Sequence, residues 1–139
     1  MWNTTGHSCI IRSEMLHLGL AVEYCQSETF EPRCAAHQVI VMKRAVFGRM
    51  SDAGRCLQPA ALLDALRDDP RYLGCSHDVL PVLHRRCSGR THCSVRIVDP
   101  ELQRNSPCYR EMEKYMDASY TCVTGKPLCY AFTYSGKAD

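Results

Sequence analysis

The sequence predicts a small α+β domain, about five strands packed with two helices and stapled by disulfides. Three observations point there. Ten of the 139 residues are cysteine, an even number spread from Cys9 to Cys129, and that density reads as a disulfide framework. Short alternating or β-branched apolar runs recur along the chain, which is the signature of strands. Two mid-chain segments instead carry apolar residues at helical spacing. The length fits one domain, and 45% hydrophobic residues supplies a core.

The elements follow in order. Residues 1–17 lack periodicity and form an irregular lead-in tied down by Cys9. From Leu18 the chain alternates, with Leu18, Leu20, Val22 and Tyr24 on one face of a strand. Residues 39–42 (Val-Ile-Val-Met) open a second strand that continues through Lys43, Arg44, Ala45, Val46 and Phe47 and stops at Gly48. Pro59 suits a first helical turn, Leu62, Leu63 and Leu66 line one face, and Asp68-Asp69-Pro70 ends that helix. Ser76 or Asp78 caps a second helix running through Val79, Leu80, Val82 and Leu83 to Arg86. Arg85 and Arg86 stand at its negative end, and Gly89 is its stop signal. Residues 94–98 read as a strand closed by Asp99-Pro100, followed by a polar loop to Cys108. Residues 115–122 alternate again, with Met116, Ala118, Tyr120 and Cys122 on one side. In a C-terminal extension, 125–139, a last run puts Leu128, Tyr130, Phe132 and Tyr134 on one face.

Composition excludes several classes of function. Seventeen Lys+Arg nearly balance 15 Asp+Glu, for a formal net charge of +2, so no basic track for nucleic acid is present. No apolar stretch is long enough to span a bilayer. A disulfide framework persists in oxidising compartments, so the chain is expected to be secreted or to lie on the extracellular side of the plasma membrane. The sequon Asn3-Thr4-Thr5 agrees and makes Asn3 the expected glycosylation site. Neither a signal peptide nor a lipidation motif is visible, which is expected of a mature fragment.

The chemistry-bearing clusters point away from catalysis. Cys75-x-His77, His84-x2-Cys87 and His92-Cys93 offer soft ligands, but structural zinc sites use a tight C-x2-4-C hook and the chain has no CxxC. A cysteine nucleophile needs an unpaired thiol, against an even count. Ser76-His77-Asp78 is contiguous only in sequence, whereas a triad is a spatial object. Asp68-Asp69 and Glu111-x-Glu113 read as solvated charge, and Lys43-Arg44 with Arg49 as a surface face. No glycine-rich phosphate loop exists. The expectation is a binding protein that is not an enzyme, with no metal and no cofactor.

Cys25-x8-Cys34, then Lys43 through Arg49, then Cys56, resembles the opening of the SUEL-type lectin domain. This is the galactose/rhamnose-binding family of egg lectins, found also in latrophilin-type adhesion receptors and at the end of some plant β-galactosidases. Phe47-Gly48-Arg49 matches two of three places of the family's Tyr-Gly-Arg element. Cys75, a helix, Cys87, Cys93, an apolar strand, Pro107-Cys108, Lys114-Tyr115-Met116 and Tyr120-x-Cys122 are similar to its second half, where the family has Asp-Pro-Cys, Lys-Tyr-Leu and Tyr-x-Cys. The resemblance puts the lectin-like domain at 18–124. It implies the pairs Cys25–Cys56, Cys34–Cys122, Cys75–Cys108 and Cys87–Cys93. That leaves Cys9 and Cys129 for a terminal clasp, or for pairing with a neighbouring domain.

The resemblance also implies a sugar site, altered here. The family's acidic residue after the first cysteine is Gln26, its aromatic ring is Phe47, and the Asp before Pro-Cys is Ser106. Lys114 matches, and Glu111 stands as a replacement acceptor. Hydrogen bonds to ionised groups are worth about 1.5–3 kcal/mol against about 1 for neutral pairs, so loss of two carboxylates weakens such a site. The expected function is an extracellular recognition module with this lectin fold and a degenerate sugar site, mediating protein–protein or cell-surface adhesion contacts. The alternatives are an active lectin of altered specificity for galactose- or rhamnose-type glycans, and a non-catalytic appendage of a secreted hydrolase. The implied partner is an extracellular protein or a cell-surface glycan.

Overall fold

The computed structural model describes residues 20–58 and 66–124. The expected Cys9–Cys129 clasp, the Asn3 sequon, the lead-in, most of the helix begun by Pro59, and the run at 128–134 lie outside the described residues. Within them the chain forms β1 (Val22–Tyr24), β2 (Thr29–Phe30), β3 (Gln38–Arg49), β4 (Cys75–Asp78), α1 (Leu80–Cys87), β5 (Val95–Arg96), α2 (Pro100–Gln103) and β6 (Tyr115–Thr124). It is a small disulfide-rich domain, mostly strand with some helix.

The long strands β3 and β6 pair antiparallel at the centre of a sheet of order β1-β6-β3-β4, and β2 pairs with β5 in a separate ribbon. β3 keeps one phase through Ile40 and Met42, then a bulge between Met42 and Arg44 shifts the register. Because side chains alternate with a period of two, that extra residue changes which parity faces inward. Ala45 and Phe47 thereby join Ile40 and Met42 in one core, against Met116 and Ala118 of β6. Val79, Leu83 and Cys87 of the α1 segment cover this face, and Phe30, Val95, Ile97 and Leu102 close it. Burying each such large side chain contributes about 1.5–3 kcal/mol.

Local signals explain the helices. The Asp78 carboxylate accepts the Leu80 N–H at 2.9 Å, Pro81 occupies the first turn, and His84, Arg85 and Arg86 stand in the last. Gly89, at φ 88°, turns the chain away. In α2 the Asp99 side chain accepts from the Glu101 N–H, with Pro100 in the first turn.

The structure corrects four expectations. The strand expected from Leu18 is paired only over Val22–Tyr24. It is an edge strand, so Leu20 and Val22 of its apolar face stay exposed, while Tyr24 packs edge-on against Phe30 with centroids 5.0 Å apart. Ser76 caps no helix: Cys75–Asp78 is β4, drawn into the sheet by pairing with Val46–Arg49 of β3. The strand expected over 94–98 shortens to the two residues that β2 can pair. The polar loop expected after Asp99 contains α2.

Four disulfides fasten the frame with the pairing the resemblance implied. They are Cys25–Cys56, Cys34–Cys122, Cys75–Cys108 and Cys87–Cys93. No described cysteine is free. The thiols of the Cys/His clusters are thus already committed, and no three His, Cys, Asp or Glu side chains converge as a metal set among the described residues.

Candidate functional site

The Phe-Gly-Arg element forms the last part of β3, and each of its residues has a packing duty. Phe47 is 0% exposed and meets the His77 ring edge-on at 5.9 Å. Its ring belongs to the core and is not offered at the surface. A Cβ on Gly48 would lie 2.3 Å from the Cys75 carbonyl oxygen, so only glycine lets β4 approach this closely. Arg49 is buried. Its guanidinium donates to the carbonyls of Tyr72 and Glu113 and stacks over the Tyr72 ring at 4.6 Å. It ties the segment before β4 to the loop before β6.

Two of the other expected site residues do come together. The Gln26 Oε1 accepts the Lys114 backbone N–H at 3.0 Å, across 88 residues of chain. The Lys114 side chain is 2% exposed, and its Nζ donates to the carbonyls of Met112 at 2.9 Å and Arg110 at 3.1 Å. Burial pushes this amine below the usual lysine range, and the nearby Arg49 cation pushes it further, with Glu111 opposing. Glu111 itself is exposed in the loop ahead of β6. Of the four expected sugar contacts, one is in the core, two are bonded to each other, and one faces solvent.

Beside Lys114 opens a cleft of about 750 Å³ between the exit of α2 and the loop leading to β6. Val98 and Pro100 are its apolar lining, Ser106 and Cys108 line it further, and the exposed residues Arg104 and Arg110 complete it on the basic side. Ser106 and Lys114, matched by the resemblance to the family's Asp and Lys, therefore share one cleft. The lining contains no carboxylate and no aromatic ring. The walls are set firmly. Cys108 is bonded to Cys75 of β4, the Ser106 Oγ accepts the Cys108 N–H at 3.3 Å, and Asn105 adopts the left-handed conformation at φ 65°. Sequence reasoning missed Arg104, Asn105 and Arg110 as site residues. The Asp-Pro helix start just before them was the available signal.

No protein-family model matches the chain. It is similar to "Protein eva-1 homolog C" of Mus musculus, 30% identical over 100 residues, which is 71% of this chain and 21% of that protein. The proteins of the same name from Homo sapiens and Pan troglodytes are each 26% identical over 100 residues. The chain spans only 21% of the length of these curated relatives.

Proposed function

We propose that this chain is an extracellular recognition module built on a galactose/rhamnose-binding-lectin type of scaffold, with a degenerate sugar site, and that it makes protein–protein or cell-surface adhesion contacts. One observation carries the reading: the groups a sugar would need are engaged within the protein. The Phe47 ring is in the core, Gln26 accepts from Lys114, and the Lys114 amine serves two carbonyls. A sugar ring needs a flat apolar surface and strong acceptors for vicinal hydroxyls, and the neighbouring cleft has neither ring nor carboxylate. The disulfide pairing supports the scaffold, and a framework of this density fits an oxidising compartment. The match to one segment of longer relatives is what a recurring module would give.

The test is capture of cell-surface proteins by the immobilised domain, with and without galactose or rhamnose at tens of millimolar. Retention that free sugar leaves unchanged is the expected result; elution by either sugar would overturn the reading. A second reading, a lectin of altered specificity, draws on the shared position of Ser106 and Lys114 in one cleft. Sugar-dependent elution lost in Lys114→Ala would favour it.

A further inference from the structure

Five arginines of the described residues sit in ion pairs, while others, Arg33, Arg71, Arg90 and Arg96 among them, do not; what sets Arg104 and Arg110 apart is that they line one cleft together. Arg44 is answered by Asp117, Arg55 by Glu28, Arg67 by Asp52, and Arg85 and Arg86 by Glu101 and Asp99. Arg104 and Arg110 face the same cleft and have no carboxylate within salt-bridge distance among the described residues, although both are exposed. Lys114 lines the cavity too, with its amine already on the Arg110 and Met112 carbonyls and facing the charge of Glu111, and the lining itself contains no acidic side chain. Like charges gathered this way repel one another unless something anionic sits between them.

We infer that this cleft takes an acidic peptide segment of a protein partner, with a carboxylate on the Arg104 and Arg110 guanidinium groups and a neighbouring apolar side chain against Val98 and Pro100. The inference rests on the recognition-module reading and names the chemistry of its partner. A planar guanidinium offers two parallel N–H donors that match a carboxylate, so two such forks suit Asp or Glu side chains. Val98 is 38% exposed, and an apolar wall next to a cationic one calls for a ligand alternating acid and hydrocarbon. A sulfated polysaccharide lacks the hydrocarbon and would need a longer basic track than two free arginines. The other basic hollow, at the end of α1, holds one arginine without a carboxylate, Arg90, beside Arg85 and Arg86, whose charges Glu101 and Asp99 already meet. The cleft is also prepared in advance by the Cys75–Cys108 disulfide and the Asn105 turn, which lowers the ordering cost of binding.

The experiment pans a displayed random dodecapeptide library against the wild-type domain, and then measures the selected peptides on Arg104→Glu/Arg110→Glu. Both side chains are exposed and unpaired, so the variant keeps the fold, checked by its amide NMR spectrum. Arg33→Glu/Arg90→Glu makes the same charge change away from this cleft and controls for net charge. The expected result is enrichment of Asp or Glu next to Leu, Ile, Val or Phe, with binding at least tenfold weaker in the cleft variant and within twofold of wild type in the control. Absence of acidic enrichment, equal loss in both variants, or a heparin fragment binding the cleft when no acidic peptide does would overturn the inference. Cell-surface capture by Arg104→Glu/Arg110→Glu separates the two readings. Undiminished, sugar-insensitive capture would leave the recognition module standing and remove the cleft from it.

Discussion

Replacing Cys34 and Cys122 together with alanine opens the longest of the four described loops, a sequence separation of 88 residues. In the chain-entropy account, a crosslink stabilises by restricting the unfolded ensemble, by an amount that grows with the logarithm of loop length. For this loop the restriction is worth about 4.6 kcal/mol at 25 °C. The Cys87–Cys93 bridge closes a separation of only 6 residues, worth about 2.2 kcal/mol on the same relation. The two double-alanine variants should therefore differ by about 2.4 kcal/mol, or about 10 °C in Tm for a domain of this size. Urea unfolding followed by circular dichroism, with a thermal scan of each variant, measures both quantities. Burial does not separate the pairs, since Cys122 is 1% exposed and Cys87 0% exposed, so each double variant also leaves a small void and the contrast rests on loop length. A Cys87→Ala/Cys93→Ala protein as unstable as Cys34→Ala/Cys122→Ala, or less stable, would refute the reasoning.

Other outcomes follow from the same contacts. Phe47→Ala should cost about 3–5 kcal/mol in urea unfolding because it empties a fully buried ring position. Gly48→Ala should cost about 1–3 kcal/mol, because its Cβ meets the Cys75 carbonyl of β4 and cannot be relieved by a rotamer. Lys114→Met keeps the stem but leaves the Arg110 and Met112 carbonyls without their donor, at about 1–3 kcal/mol. Burial holds His77 and His84 below the usual imidazole range. The unfolded chain therefore binds protons first as pH falls below about 6.5, and stability should drop from there toward the lower native values. Unfolding free energies between pH 7.5 and 5, compared with a His77→Gln/His84→Gln protein that shows a flatter profile, check the sign.

The two central strands were legible because their alternation is long: of the face expected on β6, Met116, Ala118 and Cys122 are buried and Tyr120 partly so, although Tyr115, Ser119, Thr121 and Val123 of the other face are buried as well. The bulge in β3 was not, since the residues around Lys43 carry no local mark of a phase change; it is fixed by matching both halves of β3 to β6. β4 was hidden for a related reason. Ser76, His77 and Asp78 are polar and poor strand formers, and they enter the sheet because β3 presents an unsatisfied edge beside Gly48. At the site, the resemblance found Gln26 and Lys114, which do meet. It also pointed to Phe47, whose ring the bulge turns inward. Arg104 and Arg110 looked like ordinary loop charges. Their significance depends on sharing one cleft with Val98 and Pro100, and that is settled only in three dimensions.

The central claim is the proposed reading, a recognition module that binds through contacts other than a sugar. Amide chemical-shift mapping of the 15N-labelled domain, titrated with galactose and with rhamnose to tens of millimolar, tests it most directly. The account predicts no saturable shifts at Gln26, Ser106, Glu111 or Lys114 with either sugar. Saturable shifts clustered on those residues, abolished by Lys114→Ala in a protein that remains folded, would contradict it.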